Sequence, residues 1–168
     1  RTSPEGDAVP AMTAEPSGST RTRAKEGSTA CDTLAAVSSD PAGSSGVVGP
    51  SGVAVDAKNT RLYVASQGSD NLLIVDIASG KVLHDVAVGA GALNVAFEPV
   101  SGLAYVTNRG AGTVTVVDGN GQVVGNLDGG TFPNHVSEDG KGNVFAVNKS
   151  RGAEDPKGDR VTRIAKRR

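Results

Sequence analysis

The sequence is poor in aromatic residues and almost devoid of cysteine. Its 168 residues include no Trp, three Phe, two Tyr and one Cys. All the aromatic residues lie between Tyr63 and Phe145, so a core must consist mostly of Val, Leu, Ile and Ala and is expected within that range. The single cysteine, Cys31, excludes an internal disulfide, and the KEGSTA before it lacks the apolar segment of a lipidation signal. We therefore predict a free thiol.

The chain also lacks the features of a membrane protein and of the commoner enzyme sites. No run of about 18 apolar residues is present, which argues against a transmembrane helix. The two histidines, His84 and His135, are placed by the repeat described below on an outer and an inner strand, so no paired metal site is expected. The GAG and GNG fragments fit hairpin turns better than nucleotide-binding loops, and no Ser-His-Asp set can be assigned. We expect no catalytic residue, metal or cofactor in this chain.

The two ends differ in composition from the middle. Residues 1–46 are rich in Ser, Thr, Ala, Gly, Pro and charge, and such a composition buries too little apolar surface to offset chain entropy. This segment is predicted to be disordered or a linker. Residues 149–168 carry eight Lys/Arg against three acids and end in a basic tail, residues 165–168. A solvated tail is the favoured interpretation, and contact with nucleic acid is the alternative.

The middle of the chain is a repeat. Three units occupy residues 52–89, 94–130 and 135–164, the last of them unfinished. Two sets of positions recur about every 40–42 residues: Val53, Val95 and Val136, then Tyr63, Tyr105 and Phe145. A period of about 40–45 residues is that of a four-stranded propeller blade. In the second unit the strands are expected to be NVAF, LAYVTN, TVTVVD and QVVGNL, joined by short glycine-bearing turns. The predicted fold is all-β, with about two and a half blades built as antiparallel meanders.

The motif YVTN at residues 105–108, followed by TVTVVD and GQVV, resembles the YVTN-repeat β-propeller family, the YncE-like group. Residues 61–83 match the same pattern more loosely, and the third unit shares the longer loop after its second strand. The resemblance covers residues 47–164 and implies a partial propeller in a periplasmic, secreted or cell-surface protein. Because propellers close with about four to eight blades, we expect a piece of a longer propeller; self-association through exposed blade edges is the alternative.

Alternation of antiparallel strands places two kinds of loop on one face of the blades. These are the loop leading into the innermost strand and the loop between the second and third strands. The functional interpretation is a polar, basic rim that binds an anionic ligand or an acidic segment of a protein partner. The structural alternative is that the Asn side chains cap turns while Arg and Lys keep the loops soluble. The candidate binding residues are His135, Asn134, Lys149, Arg109, Asn94, Asn108 and Asn148.

The acidic residues favour structural roles. Asp76 and Asp118 end the third strands and are expected to accept hydrogen bonds from turn amides. The stretch GAEDPKGD lacks the dense alternating ligands of a calcium loop and is interpreted as a solvated loop. Without a catalytic set, the sequence favours a non-enzymatic binding module, and the family resemblance implies that it is exported. The alternative is a fragment of a propeller enzyme, such as a lactonase or a quinone- or metal-dependent oxidoreductase, with its catalytic residues in other blades.

Overall fold

The computed structural model describes residues 47–165 together with two short strands, β1 (Thr20–Thr22) and β2 (Cys31–Thr33). Contacts divide the chain into two units, residues 1–36 and 37–168. In the first unit β1 and β2 pair antiparallel, with Thr20 opposite Thr33. The rest of the predicted linker over residues 1–46 falls outside the described residues, as do residues 166–168 of the predicted basic tail over residues 165–168, whose first residue ends β13; both stay predictions.

The second unit consists of antiparallel sheets in which each strand pairs with its neighbour in sequence, which confirms the all-β propeller-blade prediction. Two sheets have four strands and the third has three. The first blade contains β3 (Pro50–Asp56), β4 (Arg61–Ser66), β5 (Asn71–Asp76) and β6 (Val82–Ala87). The second contains β7 (Ala92–Glu98), β8 (Leu103–Asn108), β9 (Thr113–Asp118) and β10 (Val123–Asp128). The third contains β11 (Pro133–Glu138), β12 (Asn143–Asn148) and β13 (Arg160–Ala165).

Alternation along the middle strands explains why they are buried on both sides. In β8, Ala104 and Val106 belong to the core shared with the first blade, whereas Tyr105 between them belongs to the core shared with the third. Successive side chains of a strand point to opposite faces of the sheet. The β-branched and apolar sequences of β8 and β9 therefore suit a sheet with a neighbour on each face.

Two apolar clusters hold the blades side by side. The first joins blades one and two, and within it the Tyr63 and Phe97 rings stack with centroids 5.2 Å apart and planes 16° apart. Tyr63 is fully buried, and burial raises the pKa of its hydroxyl, so the group stays neutral. The second cluster joins blades two and three around Tyr105, Val114 and Val144. The repeated aromatic residue thus faces the following blade.

The outer face of the third blade has no described neighbour. Val161 on β13 is 67% exposed and Val147 on β12 is 41% exposed. The self-association predicted through exposed blade edges stays a prediction. Among the described residues there is no helix long and apolar enough to cross a membrane.

Acidic side chains fix the turns at the opposite end of the blades from the predicted binding loops. Asp76 accepts a hydrogen bond from the Ser79 amide at 2.7 Å, and Asp118 accepts from the Asn120 amide at 2.9 Å. These bonds confirm the turn roles predicted for both residues. We call this end, formed by residues 57–60, 77–81, 99–102, 119–122 and 139–142, the hairpin face.

A second set of turn acids, at the ends of the inner strands, was not singled out from the sequence. Asp56, Glu98 and Asp139 occupy equivalent positions and accept hydrogen bonds from amides of the turns that follow. Glu98 is 1% exposed. Its burial acts to raise the pKa of the carboxyl, but hydrogen bonds from Ser101 and Val100 outweigh burial and leave that pKa below its usual value. The recurrence at the blade period was the available signal.

Gly52 lies at a close approach of two inner strands, β3 and β7. A Cβ at this position would lie 2.7 Å from the Asn94 Cα and 3.0 Å from the Leu93 carbonyl oxygen. Both are backbone atoms of β7, which cannot move without shifting the strand. The contact therefore requires glycine for space, because Gly52 does not have a positive φ.

We predict that Gly52→Ala lowers the free energy of unfolding by about 1–3 kcal/mol, the usual cost of overpacking a tight contact. The matched control is Gly125→Ala in β10, where a new Cβ would make an ordinary 3.7 Å contact with Val116. There, replacing a strand glycine is expected to leave stability unchanged or to raise it by up to about 1 kcal/mol. Urea unfolding followed by circular dichroism measures both. Equal effects of the two substitutions would contradict the close approach.

Candidate functional site

The two kinds of predicted binding loop do open on one face, and hydrogen bonds join them in every blade. The Arg109 amide donates to the Gly91 carbonyl, and the Lys149 amide donates to the Phe132 carbonyl, both at 2.9 Å. The Gln67 amide makes the equivalent bond to Gly49. We call this end the loop face; it comprises residues 47–49, 67–70, 88–91, 109–112, 129–132 and 149–159.

Asn108 and Asn148 lie beneath the loop face rather than on it. They are 0% and 2% exposed. The Asn108 side-chain amide donates to the hydroxyls of Thr113 and Thr115, at 3.0 and 2.7 Å. The Asn148 side-chain oxygen accepts from the Phe132 amide at 2.6 Å. Both side chains therefore make hydrogen bonds within their own blade, in keeping with the structural alternative. The residues that follow them, Arg109 and Lys149, lie closer to solvent.

His135 and Asn94 occupy equivalent places on inner strands, as the repeat implied. His135 is exposed, whereas Asn94 is partly buried and its side-chain oxygen accepts a hydrogen bond from the Val136 amide at 3.2 Å. This bond links blades two and three. Both residues line a groove of about 290 Å³ formed by the three inner strands, which also exposes Val53 and Val55.

Asn134 is the extra residue of a β-bulge at the start of β11. Pro133 pairs with Asn148 and His135 pairs with Val147, so Asn134 has no partner in the ladder. The same irregularity occurs at the start of β3 and of β7. A bulge bends a strand and redirects its side chains. In each of the three described blades the bulge lies where the inner strand meets the loop face, which the sequence pattern did not predict.

Arg109 contacts Phe132, an aromatic residue to which the repeat assigns no role. Its guanidinium carbon lies 5.0 Å from the centroid of the Phe132 ring, and that of Arg151 lies 4.1 Å from the same centroid. Phe132 stands where the other blades have Gly49 and Gly91, both with positive φ. An aromatic residue at a position that is otherwise glycine was the signal for this cluster. We call Arg109, Phe132 and Arg151 the arginine–phenylalanine cluster.

The cations of this cluster have no acidic partner within the described part of the chain. The salt bridge found between residues 47 and 165 joins Lys157 and Asp128 at 3.0 Å. Lys149, whose backbone is bonded to Phe132, is exposed and likewise outside any ion pair of that region. Two guanidinium groups therefore lie over one ring, with an exposed lysine on the adjoining loop, and none of the three is in an ion pair with a carboxylate of the described region.

The loop of residues 149–159 is organised by Asp155. Its carboxylate accepts hydrogen bonds from the Thr131 hydroxyl at 2.8 Å and from the amides of Lys157 and Arg151 at 3.0 and 3.1 Å. The bond from Thr131, followed by the backbone bonds, holds the pKa of Asp155 below its ordinary value. The segment predicted to be a solvated loop is thus exposed but has defined internal contacts. Beside it, a cavity of about 310 Å³ is lined by Thr131, Arg151 and the turn at residues 152–156.

The two histidines lie on different blades. His84 is on β6 of the first blade and His135 on β11 of the third. Within the described residues, no group of three or more His, Cys, Asp or Glu side chains is placed to hold a metal ion.

Meanders of short antiparallel strands that pack face against face define the class of this protein as a β-propeller. The sequence is 35% and 34% identical over 118 residues to proteins described as "Uncharacterized protein YncE" in Salmonella typhimurium and Salmonella typhi. The chain belongs to the YncE-like β-propeller family. Each match covers 67% of this chain and 33% of the relative, so the chain spans about a third of these relatives' length.

A solved structure supports the same fold. Hydrazine synthase of Kuenenia stuttgartiensis matches with a TM-score of 0.56 and 22% identity, over 60% of this chain and 29% of that chain. At this identity the likeness concerns the fold alone. A scan against protein-family models finds no match.

We predict that Asp155→Asn loosens the loop of residues 149–159 without unfolding the blades. The substitution removes the charge that the three donors stabilise, so trypsin should cleave after Arg151 and Lys157 several-fold faster near neutral pH. In the wild type the same loosening should occur in acid. Because the pKa of Asp155 is lowered in the folded protein, its carboxylate stabilises the loop fully at a pH above the ordinary pKa of 3.8. This stabilisation is lost as the pH falls through the pKa of the folded state.

Glu154→Gln is the matched control, because Glu154 is an exposed carboxylate of the same loop. It should leave the cleavage rate unchanged. Mass spectrometry would map the cleavage sites and follow the cleavage rates. Equal rates in the two variants would show that Asp155 does not hold the loop.

Proposed function

We propose that this chain is a non-catalytic binding module whose loop face engages an anionic ligand or an acidic segment of a protein partner. The contact residues are Arg109 and Lys149 on the loops, with His135, Asn134 and Asn94 at the adjoining mouth of the inner-strand groove. Asn108 and Asn148 support this surface from below, since they fix the loops that carry it.

The observation that carries the proposal is the unequal use of charge on the loop face. Most of its acids are engaged in holding loops: Asp70 accepts from the Gly91 amide at 2.6 Å, and Asp159 accepts from the Ser150 amide at 3.1 Å. The cations Arg109 and Lys149 lie outside any ion pair of the described region. Positive groups that no carboxylate neutralises, on loops at the surface, are candidates for recognition.

The location of the protein is part of the proposal. The YncE-like resemblance favours a periplasmic, secreted or cell-surface protein, and fractionation of the producing cells would test that location directly. A catalytic step is not assigned to any residue of this chain.

We predict that the variant with Arg109→Ala, His135→Ala and Lys149→Ala captures several-fold less of the partner from an extract of the producing organism. Capture by the immobilised full chain would be quantified by mass spectrometry. Three positive or hydrogen-bonding groups are lost from one surface, so complementarity to an anionic partner weakens.

The matched control removes three exposed cations from the hairpin face, Lys58, Lys81 and Lys141, by substitution with Ala. It should capture as much as the wild type, and circular dichroism should show both variants folded. The same set of captured molecules with all three proteins would exclude the loop face as the binding surface.

A further inference from the structure

We infer that the arginine–phenylalanine cluster is a seat for carboxylate groups of an acidic peptide segment in a partner protein. This inference rests on the proposed function, which it narrows from an anionic partner to one ligand class and three residues. Two of the three, Phe132 and Arg151, lie outside the set of candidates obtained from the sequence.

The ring of Phe132 orients both guanidinium groups before any ligand arrives. The guanidinium carbons of Arg151 and Arg109 lie 4.1 and 5.0 Å from its centroid, within the range of a cation–π contact. A guanidinium held in this way keeps N–H donors for a fork-like, bidentate bond to a carboxylate. Less side-chain entropy is then lost on binding than with freely moving arginines.

The cluster is electrostatically incomplete in the described structure. Two positive groups share one aromatic ring, and no carboxylate between residues 47 and 165 lies within 4.0 Å of either. The nearby acid Asp155 is already committed to Thr131 and to loop amides. A carboxylate from outside the chain would neutralise like charges that the loop otherwise holds close together.

The surroundings of the cluster favour a peptide over a nucleic acid. The loop face carries four acids among its basic groups, Asp70, Glu154, Asp155 and Asp159, and Asp128 lies next to it at the end of β10. A nucleic acid backbone presents closely spaced negative charge along its whole length, so it would meet these carboxylates as well as the arginines. A peptide can place one or two carboxylates at the cluster and neutral residues elsewhere. The cavity of about 310 Å³ beside Arg151 offers room for its neighbouring atoms.

The test uses the full chain and a fluorescein-labelled peptide in which Glu residues alternate with Gly and Ser. Fluorescence anisotropy measures binding at low and at physiological salt. Replacement of Arg109 and Arg151 by Ala together should weaken binding by about tenfold or more, because charge-assisted bidentate bonds are lost. Replacement of both by Lys keeps the charge and removes the fork, and it should also weaken binding, by a smaller factor.

The matched control is Lys157→Ala. Lys157 belongs to the same loop and carries the same charge, but it is paired with Asp128. Its loss should change peptide affinity less than about twofold, as expected for an exposed, paired charge. If Lys157→Ala and the double Ala variant lost peptide affinity equally, the effect would reflect the general positive charge of the loop face, and the inference would be overturned. If the double Lys variant bound the peptide with wild-type affinity, the guanidinium groups would not be required, and the proposed bidentate recognition of carboxylates would be overturned.

Two further probes separate the ligand classes. An oligothymidylate of equal length that binds more tightly than the Glu peptide would overturn the carboxylate assignment. The same conclusion would follow if inorganic phosphate, at a concentration equal to that of the peptide's carboxylates, displaced the peptide. Failure of the Glu peptide to bind would also overturn it. If partner capture still depends on the loop face in that case, the proposed function stands and only its narrower form fails.

Discussion

Burial of blade faces against one another is the interaction on which the rest of this structure depends. A four-stranded sheet has two apolar faces and can bury neither alone, so each blade needs a neighbour. Tyr63 and Tyr105, one repeat apart, each supply the aromatic side chain that faces the next blade, and Tyr63 stacks there on Phe97. Burial of a large apolar side chain contributes about 1.5–3 kcal/mol, so a handful of such contacts at each junction outweighs any surface ion pair.

This constraint explains where recognition can occur. The second and third strands of the middle blade are covered on both faces, which leaves little freedom for residues other than Val, Thr, Ala and Tyr. The ends of the strands carry no such restriction. At the hairpin face, acids such as Glu98 are used to close turns. At the loop face, buried Asn residues hold the loops, and Arg109, Lys149 and Arg151 extend from them toward solvent or a neighbouring ring.

The repeat made the sheets predictable and left much of the site unpredictable. A period near 42 residues and alternating apolar positions in the sequence reflect the regular backbone of the blades. The strands β8 and β9 and the common face of the two kinds of loop could therefore be predicted from them. Whether Asn108 points outward or beneath a loop depends on packing around Gly89, whose added Cβ would lie 2.7 Å from the Asn108 side-chain nitrogen. The bulge at Asn134 shifts the strand pairing by one residue, and the amino-acid composition of the strand gives no sign of it. The contact of Arg151 with Phe132 joins residues across an irregular loop, which no period describes.

Comparison of two equivalent strands tests the central role of blade-on-blade packing most directly. β8 and β12 are both second strands, and each is hydrogen-bonded on both edges. β8 is covered on both faces, whereas β12 has a described neighbour on one face only. Amide hydrogen exchange of the full chain, read residue by residue, should therefore be markedly slower in Leu103–Asn108 than in Asn143–Asn148. Equal protection of the two strands would show that packing between blades does not determine stability.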